Sequence, residues 1–418
     1  MSSRKTFKVV TLGCRTNQYE GQAYTDQLKS VGYEEVGDDE VAEICIVNTC
    51  TVTESADSSS RHAIRELARK HPHSKLVVTG CMADSHPEKT RAIEGVSAVI
   101  PNAKKEELLQ IVLPEETWPE FSIKQFDGHT RAFVKVQDGC NSFCTYCILP
   151  YVRGRSRSRS VDAIEKEVHE LIANGYKEIV LTGINIGDYE DGPIRLAGLV
   201  RRIDNIEGLK RLRLSSIDPD EVDEELQSAI LDGKTTCHSL HIVLQSGSNV
   251  ILKRMNRKYT KQIFLESIKK LRAADPDFGF TTDVIVGFPG ETESDFQETL
   301  AMMHEVQFAK VHMFPYSVRP RTRAALYPNH IAPPVIQERK ALILKQAEMN
   351  AYSWREQFIG RKMSVLIESP SSSHPGYLSG HTSNFLSTLV PEQGLSKNDL
   401  VNAQFQCNTP EGLLCTLT

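Results

Sequence analysis

Three cysteines stand close together near the middle of the chain, in the segment DGCNSFCTYC. Held on one short loop, the thiolates of Cys140, Cys144 and Cys147 can each bind one iron of a cubic four-iron, four-sulfur cluster. The fourth iron then lacks a cysteine, and this open position allows the metal site to take part in a reaction. A zinc loop and a chance spacing are the alternatives. Zinc normally takes a fourth Cys or His, and none follows within 20 residues, before His169.

Three further cysteines each follow a short apolar run in the first part of the chain. They are Cys14 in TLGC, Cys50 in NTC and Cys81 in TGC. If these runs are parallel strands, their carboxyl ends lie at one edge of a sheet and the thiols can meet there. Gly13 and Gly80 directly precede two of them and permit close backbone approach. Two interpretations stay open: a second metal cluster, or cysteines used as small core residues, a role that suits Cys45.

Composition limits the class of protein. Ten cysteines in 418 residues are too few for a disulfide scaffold, and the start of the sequence has no signal-peptide pattern. Apolar runs shorter than 18 residues predict no membrane span. The net charge of −5 gives no sign of a generally basic nucleic-acid-binding surface. We therefore expect a cytoplasmic protein with reduced thiols. Cys237, Cys407 and Cys415 have no partner at ligand spacing.

Alternating apolar runs and helical patterns predict an α/β protein of three parts. Residues 1–115 have the βαβα order of a parallel α/β domain, and 113–130 have the composition of a linker. Residues 126–357 contain six apolar runs, which predict a partial (β/α)6 barrel. These runs are Ala132–Val136, Ile179–Leu181, Leu212–Leu214, Leu240–Leu244, Thr281–Val286 and Val311–Phe314. In residues 358–418, which follow a long predicted helix, five short strands predict a small OB-like β-barrel.

Polar or glycine residues follow the predicted barrel strands, at the rim where parallel β/α barrels carry their chemistry. Any one of these segments is also compatible with ordinary turn chemistry. The candidate cofactor-binding residues among them are Thr182, Gly183, Asn185, Ser215, Gln245 and Gly287.

The loop of Cys140, Cys144 and Cys147, with the aromatic Tyr146 before its last cysteine, resembles the signature of the radical S-adenosylmethionine (SAM) superfamily. The resemblance implies that SAM binds the open iron and is cleaved to a deoxyadenosyl radical, and that these residues are catalytic. Together with the strand-end cysteines, the segments GCRTNQYEG, NTCTVT, GCMA and DVIVGFPGETESDF resemble the methylthiotransferase family, and GYLSGHTSNFL more weakly resembles its TRAM barrel. This implies a second four-iron cluster on Cys14, Cys50 and Cys81, with SAM also serving as methyl donor.

Members of this family act on isopentenyl-adenosine in tRNA, on threonylcarbamoyl-adenosine in tRNA, or on an aspartate of a ribosomal protein. GCRTNQYEG and MNRKYT are most similar to the threonylcarbamoyl-adenosine branch. The resemblance therefore implies 2-methylthiolation of that nucleoside beside the anticodon. One departure is PRTR at 320–323, since relatives usually carry Gly at the position of Arg321 and a small residue or Pro at that of Arg323.

Arginine clusters near the cysteine loop could contact tRNA phosphates, although a Ser/Arg alternation is also typical of a solvated surface. The candidates beside the loop are Arg153, Arg155, Arg157 and Arg159. Two further clusters are Lys253, Arg254, Arg257 and Lys258, and Arg319, Arg321 and Arg323. Tyr377 and Phe385 could stack on bases, or Phe385 could pack in the barrel core. The expected partners are tRNA and an electron donor, no membrane is expected, and we expect a monomer. A zinc-stabilised RNA-binding module is the rival of another class.

Overall fold

The computed structural model describes residues 4–37 and 40–418. Its first part is a five-stranded parallel sheet in the order β2-β1-β3-β4-β5, with helices packed on both faces. Its elements are β1 (Thr6–Thr11), α1 (Arg15–Ser30), β2 (Glu34–Glu35), β3 (Ile44–Thr49), α2 (Glu54–Lys70), β4 (Lys75–Gly80), α3 (Cys81–Ser85), α4 (Pro87–Arg91), β5 (Val96–Val99) and α5 (Leu108–Val112). The parallel α/β order predicted for this region is confirmed.

Helix α1 begins directly after Cys14, earlier than the Glu20 start that apolar periodicity predicts. The buried side chains of its first turns are polar, among them Thr16, Asn17 and Glu20. Hydrophobic spacing therefore gives no sign of this segment, although it is helical. Because the chain turns from β1 into α1 so abruptly, Cys14 is placed at the helix amino terminus.

The middle part is a curved parallel sheet that forms a partial barrel, as predicted. Its β elements are β6 (Arg131–Lys135), β7 (Gln137–Asp138), β8 (Arg157–Ser158), β9 (Glu178–Thr182), β10 (Glu190–Asp191), β11 (Ile194–Arg195), β12 (Arg211–Leu214), β13 (Ser216–Ile217), β14 (Ser239–Ile242), β15 (Gly279–Val286) and β16 (Lys310–Pro315). Its helices are α6 (Leu149–Val152), α7 (Val161–Ala173), α8 (Leu196–Asp204), α9 (Glu224–Leu231), α10 (Asn249–Arg254), α11 (Lys261–Ala274), α12 (Glu293–Val306) and α13 (Pro333–Glu356).

The barrel wall runs β6-β9-β12 and then β13-β14-β15-β16. A bridge between Leu212 and Thr236 joins its two halves. Among the described residues β6 and β16 do not pair, so the barrel is open between its first and last strands. All of these neighbours are parallel, and the six main strands therefore end at one rim.

The segment 113–130 packs against the barrel rather than hanging free, as a flexible linker would. Ile123 and Phe126 are fully buried in the same core as the barrel strands. The amide of Phe126 donates to the hydroxyl of Tyr176 at 2.6 Å. The first part of the chain is therefore held against the barrel by apolar contacts along this segment.

The last part is a closed five-stranded barrel in the order β17-β18-β19-β21-β20, as the short-strand pattern predicts. Its strands are β17 (Lys362–Pro370), β18 (Tyr377–Thr382), β19 (Ser387–Pro391), β20 (Leu400–Asn408) and β21 (Leu413–Leu417). It closes the floor of the large barrel, where the Arg211 and Arg213 guanidiniums donate to its carbonyl oxygens.

Phe385 lies at this floor, in the turn between β18 and β19. Its ring stacks on His381 with centroids 4.7 Å apart, and the guanidiniums of Arg131 and Arg213 lie over it. Of the two roles considered for Phe385, the structure shows packing, at the junction of the two barrels rather than inside the small one. In the part of the chain that the structure describes, no helix is long and apolar enough to cross a membrane.

Candidate active site

All six cysteines of the two predicted sets line one cavity of about 370 Å³. The cavity lies where the carboxyl edge of the first sheet faces the rim of the large barrel. Both parallel sheets turn their strand ends toward it, so loops from two domains converge on one space. The volume falls within the range of small-molecule sites, roughly 300–1,000 Å³.

The loop that carries Cys140, Cys144 and Cys147 contains tight turns of its own. Gly139 has φ +74°, and a Cβ there would lie 2.1 Å from the carbonyl oxygen of Arg155. The backbone amides of Ser142 and Cys147 donate to the Cys140 sulfur at 3.4 Å and to the Cys144 carbonyl at 3.0 Å. These turns set the spacing of the three sulfurs. The Thr145 amide donates to the Met255 carbonyl at 3.0 Å, and this bond ties the loop to the barrel.

One buried arginine binds this loop from outside. Arg257 donates to the Cys144 sulfur at 3.0 Å and forms a salt bridge with Asp218, a residue of the rim after β12. Burial raises the pKa of the Cys140 and Cys147 thiols, and the neighbouring Cys144 sulfur acts in the same direction. A thiolate in this loop consequently needs positive charge beside it.

The other three cysteines come together through the sheet. Cys14 precedes α1, Cys50 follows β3, and Cys81 begins α3 directly after β4. Gly13, at φ +98°, packs so closely that a Cβ on it would lie 2.7 Å from the Cβ of Cys50. Burial raises the pKa of Cys50 to about 12 and also raises that of Cys81, with the sulfurs of this set reinforcing one another.

A second buried arginine binds this set. Arg153 donates to the Cys81 sulfur at 3.3 Å. The same guanidinium donates to Glu20 at 3.0 Å and to Asp138 at 2.9 Å. Burial alone would raise the pKa of the Glu20 carboxyl, but the charges of Arg153, Lys105 and Lys135 outweigh it and lower that pKa to about 2. An internal network of charges thus joins the strand-end cysteines to the barrel.

The donor sets fit iron–sulfur clusters. Each contains three free thiols, all of them buried or half-buried except the exposed Cys14, and each has one arginine that can offset thiolate charge. No three His, Cys, Asp or Glu within residues 4–37 and 40–418 converge closely enough to hold a single metal ion. A four-iron cluster uses one thiolate per iron, so its ligands stand further apart than those of one ion.

The predicted cofactor-binding residues divide into two groups. Tyr146, Gly183, Asn185 and Gln245 line the cavity. Gln245 keeps a buried Oε1 with no hydrogen-bond partner in the described chain, which leaves an acceptor for a ligand. Thr182, Ser215 and Gly287 do not line it. Gly287 packs instead under Ile336, where a Cβ would lie 2.6 Å from the Ile336 side chain.

The structure corrects the RNA-contact prediction for Arg153 and Arg159. Arg153 is 2% exposed, in the network described above. Arg159 donates to Glu167 at 2.6 Å. Their guanidiniums are engaged inside the protein, whereas Arg155 and Arg157 are exposed. In the other two clusters, Arg257 donates the hydrogen bond to the Cys144 sulfur described above. The buried Arg319 guanidinium donates to the Asp57 carboxylate at 2.6 Å.

Sequence reasoning also missed several residues of the site. Asp218, Val243, Asp283 and Ile285 line the cavity. Glu221 lies just behind it and accepts from the Asn185 amide at 2.8 Å, and burial, with the nearby Asp218 charge, raises its pKa to about 7. Asp218 lies in the polar segment 215–218 after the third predicted barrel strand, from which only Ser215 was selected. The salt bridge between Asp218 and Arg257 is visible only in the folded structure.

Family models match two parts of the chain. Residues 134–303 match the Radical SAM superfamily, and residues 6–101 match Uncharacterized protein family UPF0004. The first range contains the Cys140 loop and most of the barrel, and the second contains the three strand-end cysteines. The two cysteine sets therefore lie in two separately recognised units.

Full-length relatives join these units. The chain is 47% identical to "Threonylcarbamoyladenosine tRNA methylthiotransferase MtaB" of Chlamydia pneumoniae, over 98% of this chain and 97% of that protein. It is 37% identical to "tRNA-2-methylthio-N(6)-dimethylallyladenosine synthase" of Moorella thermoacetica, over 91% of each.

Among solved structures, the radical S-adenosylmethionine methyltransferase TsrM of Kitasatospora setae is similar in fold. Its TM-score is 0.57 at 15% identity, and the match covers 78% of this chain and 77% of that one. At that identity only the fold is shared. With the cysteine sets, the two matched units and the near-complete match to named relatives, the chain belongs to the radical SAM tRNA methylthiotransferase family.

Proposed function

We propose that this protein converts N6-threonylcarbamoyladenosine beside the anticodon of tRNA to its 2-methylthio derivative, using two four-iron clusters and SAM. The observation that carries the proposal is the single cavity lined by both cysteine sets. Cys140, Cys144 and Cys147 would hold the cluster that binds SAM. Cys14, Cys50 and Cys81 would hold the cluster at which the sulfur is delivered.

The bound groups would supply a radical able to attack a C–H bond of negligible acidity, and a sulfur nearby. The residues of this chain provide the surroundings for that chemistry. Val243, Ile285 and Ile148 give the cavity apolar walls, which exclude water from reactive species. Arg257 and Arg153 each hold one cysteine sulfur through a hydrogen bond, so each set is fixed to the barrel.

The relatives favour this substrate over the alternatives. The Chlamydia pneumoniae protein named for threonylcarbamoyladenosine is 47% identical, against 37% for the Moorella thermoacetica protein named for dimethylallyladenosine. A ribosomal protein aspartate would be the third candidate.

Exposed arginines and rings beside the cysteine loop form a candidate tRNA contact. The Arg155 guanidinium lies 4.4 Å from the Phe143 ring centroid, Phe143 packs edge-on against Tyr151, and Arg321 lies over Tyr151 at 5.3 Å. A layered strip of cations and rings suits phosphates and unstacked bases. Replacing Arg155 or Arg321 with Ala should weaken tRNA binding, and each should reduce the slope of log K against log salt by about 0.7–0.9.

The remaining assignments are also proposals. Since one chain supplies every cysteine of the cavity, the site is complete in a monomer. An external electron donor would reduce the SAM-binding cluster, and the reduced thiols suit a cytoplasmic protein. The domains would be 1–115, 126–357 and 358–418.

The test is methylthiolation in vitro. Protein reconstituted with iron and sulfide under anaerobic conditions is incubated with SAM, dithionite and an anticodon stem-loop RNA that carries threonylcarbamoyladenosine. Mass spectrometry of the digested RNA should show the 2-methylthio nucleoside. The same RNA with dimethylallyladenosine should react much more slowly. Preference for the dimethylallyl RNA, or no product from either RNA, would contradict the proposed function.

A further inference from the structure

The opening of the barrel between β6 and β16 carries an unusual set of side chains. Strand β16 alternates, and its Val311 and Met313 pack against the core. Lys310, His312 and Phe314 therefore lie on the opposite, inward face. Phe314 lines the cysteine cavity, and so does Ile285, its partner on β15. The inward face of β16 thus runs from the cavity down into the barrel.

Arg15 enters this opening from the first domain. It directly follows Cys14, and its guanidinium lies 5.4 Å from the ring centroid of Phe133 on β6. Burial lowers the pKa of Lys310, and the charges of Arg131 and Arg15 lower it further. Burial, with the Lys310, His241 and Arg15 charges, also lowers the pKa of His312 to about 4 despite the nearby Asp283. The opening is therefore electropositive.

Most cations near the opening already have carboxylate partners. Arg131 pairs with Glu368 at 3.3 Å, and Arg213 pairs with Glu178 at 2.7 Å. His241 faces Asp283 at 3.3 Å. Across residues 4–37 and 40–418, neither Arg15 nor Lys310 has a hydrogen bond or an ion pair from its side chain. Two cations without a carboxylate partner at the mouth of a charged pocket form a site for an anionic group.

The position of this pocket fits a group that extends from a base held in the cavity. Lys310 lies four residues from Phe314 on the same strand, which is roughly 13 Å along the backbone. A lysine side chain spans about half of that distance. An adenine beside Phe314 would therefore bring a substituent several ångströms long to the Lys310 ammonium, with Arg15 on the other side of the opening.

We propose that Arg15 and Lys310 bind the carboxylate of the threonylcarbamoyl group and so select an acidic N6 substituent over an apolar one. This inference rests on the proposed function and deepens it. His312, neutral at neutral pH, lies between Lys310 and Phe314 on the inward face of β16 and provides a hydrogen-bonding group for the carbamoyl part. An isopentenyl substituent carries no charge, so it cannot offset the free-energy cost of desolvating these two cations.

The test compares two stem-loop RNAs, one with threonylcarbamoyladenosine and one in which its carboxylate is replaced by the neutral carboxamide. We expect wild-type protein to prefer the acid in kcat/KM and in RNA affinity. Lys310→Met and Arg15→Gln should each reduce that preference about 10-fold, while Lys310→Arg should keep most of it. Lys345→Met, an exposed lysine of α13, is the matched control and should leave the preference unchanged.

Two readouts separate this inference from the function on which it rests. If wild-type protein uses both RNAs equally, or the variants lose activity on both RNAs alike, the carboxylate site is wrong and the methylthiolation stands. If wild-type protein methylthiolates neither RNA, the proposed function fails. The relative affinities for the two RNAs then still decide whether Arg15 and Lys310 recognise the carboxylate. Iron content of Arg15→Gln shows whether its neighbour Cys14 still binds a cluster.

Discussion

The two cysteine sets reach the same cavity by different routes. Cys140, Cys144 and Cys147 lie within eight residues on one loop, which has turns of its own and is also hydrogen-bonded to the segment 254–256. Cys14, Cys50 and Cys81 come from the ends of three strands and meet only when the sheet has formed. Each set nevertheless has one buried arginine that donates to one of its sulfurs.

The difference indicates how each site depends on the rest of the protein. The turns of the loop fix the spacing of its cysteines within one segment, whereas a site at a sheet edge needs every strand in register. The strand-end set also depends on the charge network of Arg153, which includes residues of both domains. We therefore expect the strand-end site to be the more easily damaged by changes at a distance.

Removal of one cysteine from each set should give the largest effects. Cys144→Ala should abolish SAM cleavage and, with it, methylthiolation, because the SAM-binding cluster loses a ligand. Cys50→Ala should leave cleavage of SAM to deoxyadenosine measurable but stop methylthiolation. Both products are measured by chromatography, with Cys407→Ala, an exposed cysteine, as the control. Loss of both activities in a folded Cys50→Ala protein would contradict the division of roles.

Replacing Arg153 and Arg257 in turn compares how much each buried arginine contributes to the stability of the protein. Arg153→Met leaves Glu20 and Asp138 short of a buried partner, and this should destabilise the protein by roughly 3–5 kcal/mol. Arg257→Met leaves only one carboxylate, Asp218, without its arginine partner. Because Asp218 is closer to the rim, the loss of unfolding free energy should be smaller. Urea unfolding of the two variants measures the free energies. Equal losses of unfolding free energy in the two variants would show that the strand-end site does not depend more strongly on its arginine than the loop site does.

Acid should also weaken the charge network beside the strand-end site. The folded-state pKa of Glu20, about 2, lies below its unfolded value. Glu20 therefore contributes stability that is fully present above pH 5 and is lost as the pH falls toward 2, on the order of 3 kcal/mol in all. Urea unfolding at several pH values measures this loss. Glu20→Gln should unfold with a flatter dependence on pH, and an unchanged dependence would exclude Glu20 as its source.

The smallest effects concern the glycines next to each set. Gly13→Ala and Gly139→Ala both place a Cβ at positive φ and in close contact, against Cys50 in one case and the Arg155 carbonyl in the other. The backbone strain alone costs about 1–2 kcal/mol in each case. Iron content should fall for the cluster beside the altered glycine and stay normal for the other. If either variant loses both clusters, the two sites do not fold independently.

Much of this arrangement could be predicted from the sequence. The bounds of α7 and α11 agree with their apolar periodicity, and the strand-end cysteines fall at one sheet edge because parallel strands share a direction. The buried arginines could not be predicted. Arg153, Arg257 and Arg319 pair with carboxylates 133, 39 and 262 positions away. In sequence they look like members of exposed basic clusters, since nothing local marks their partners.

The rim loop at 320–323 shows a further limit. Arg321, where the family resemblance leads us to expect Gly, has φ +71°, in the left-handed region where glycine is favoured. Arg321 therefore holds, with backbone strain, a conformation that glycine adopts freely. It also places a cation over Tyr151, beside the cysteine loop.

The central claim is that two clusters occupy one cavity and that each cysteine set holds one of them. Iron, acid-labile sulfide and zinc should be measured in protein reconstituted anaerobically, for wild type and for the triple variant Cys14→Ala, Cys50→Ala and Cys81→Ala. We expect about eight irons and matching sulfide per wild-type chain, and about four irons in the variant, which should still cleave SAM. Four irons in wild type, or stoichiometric zinc without sulfide, would contradict it.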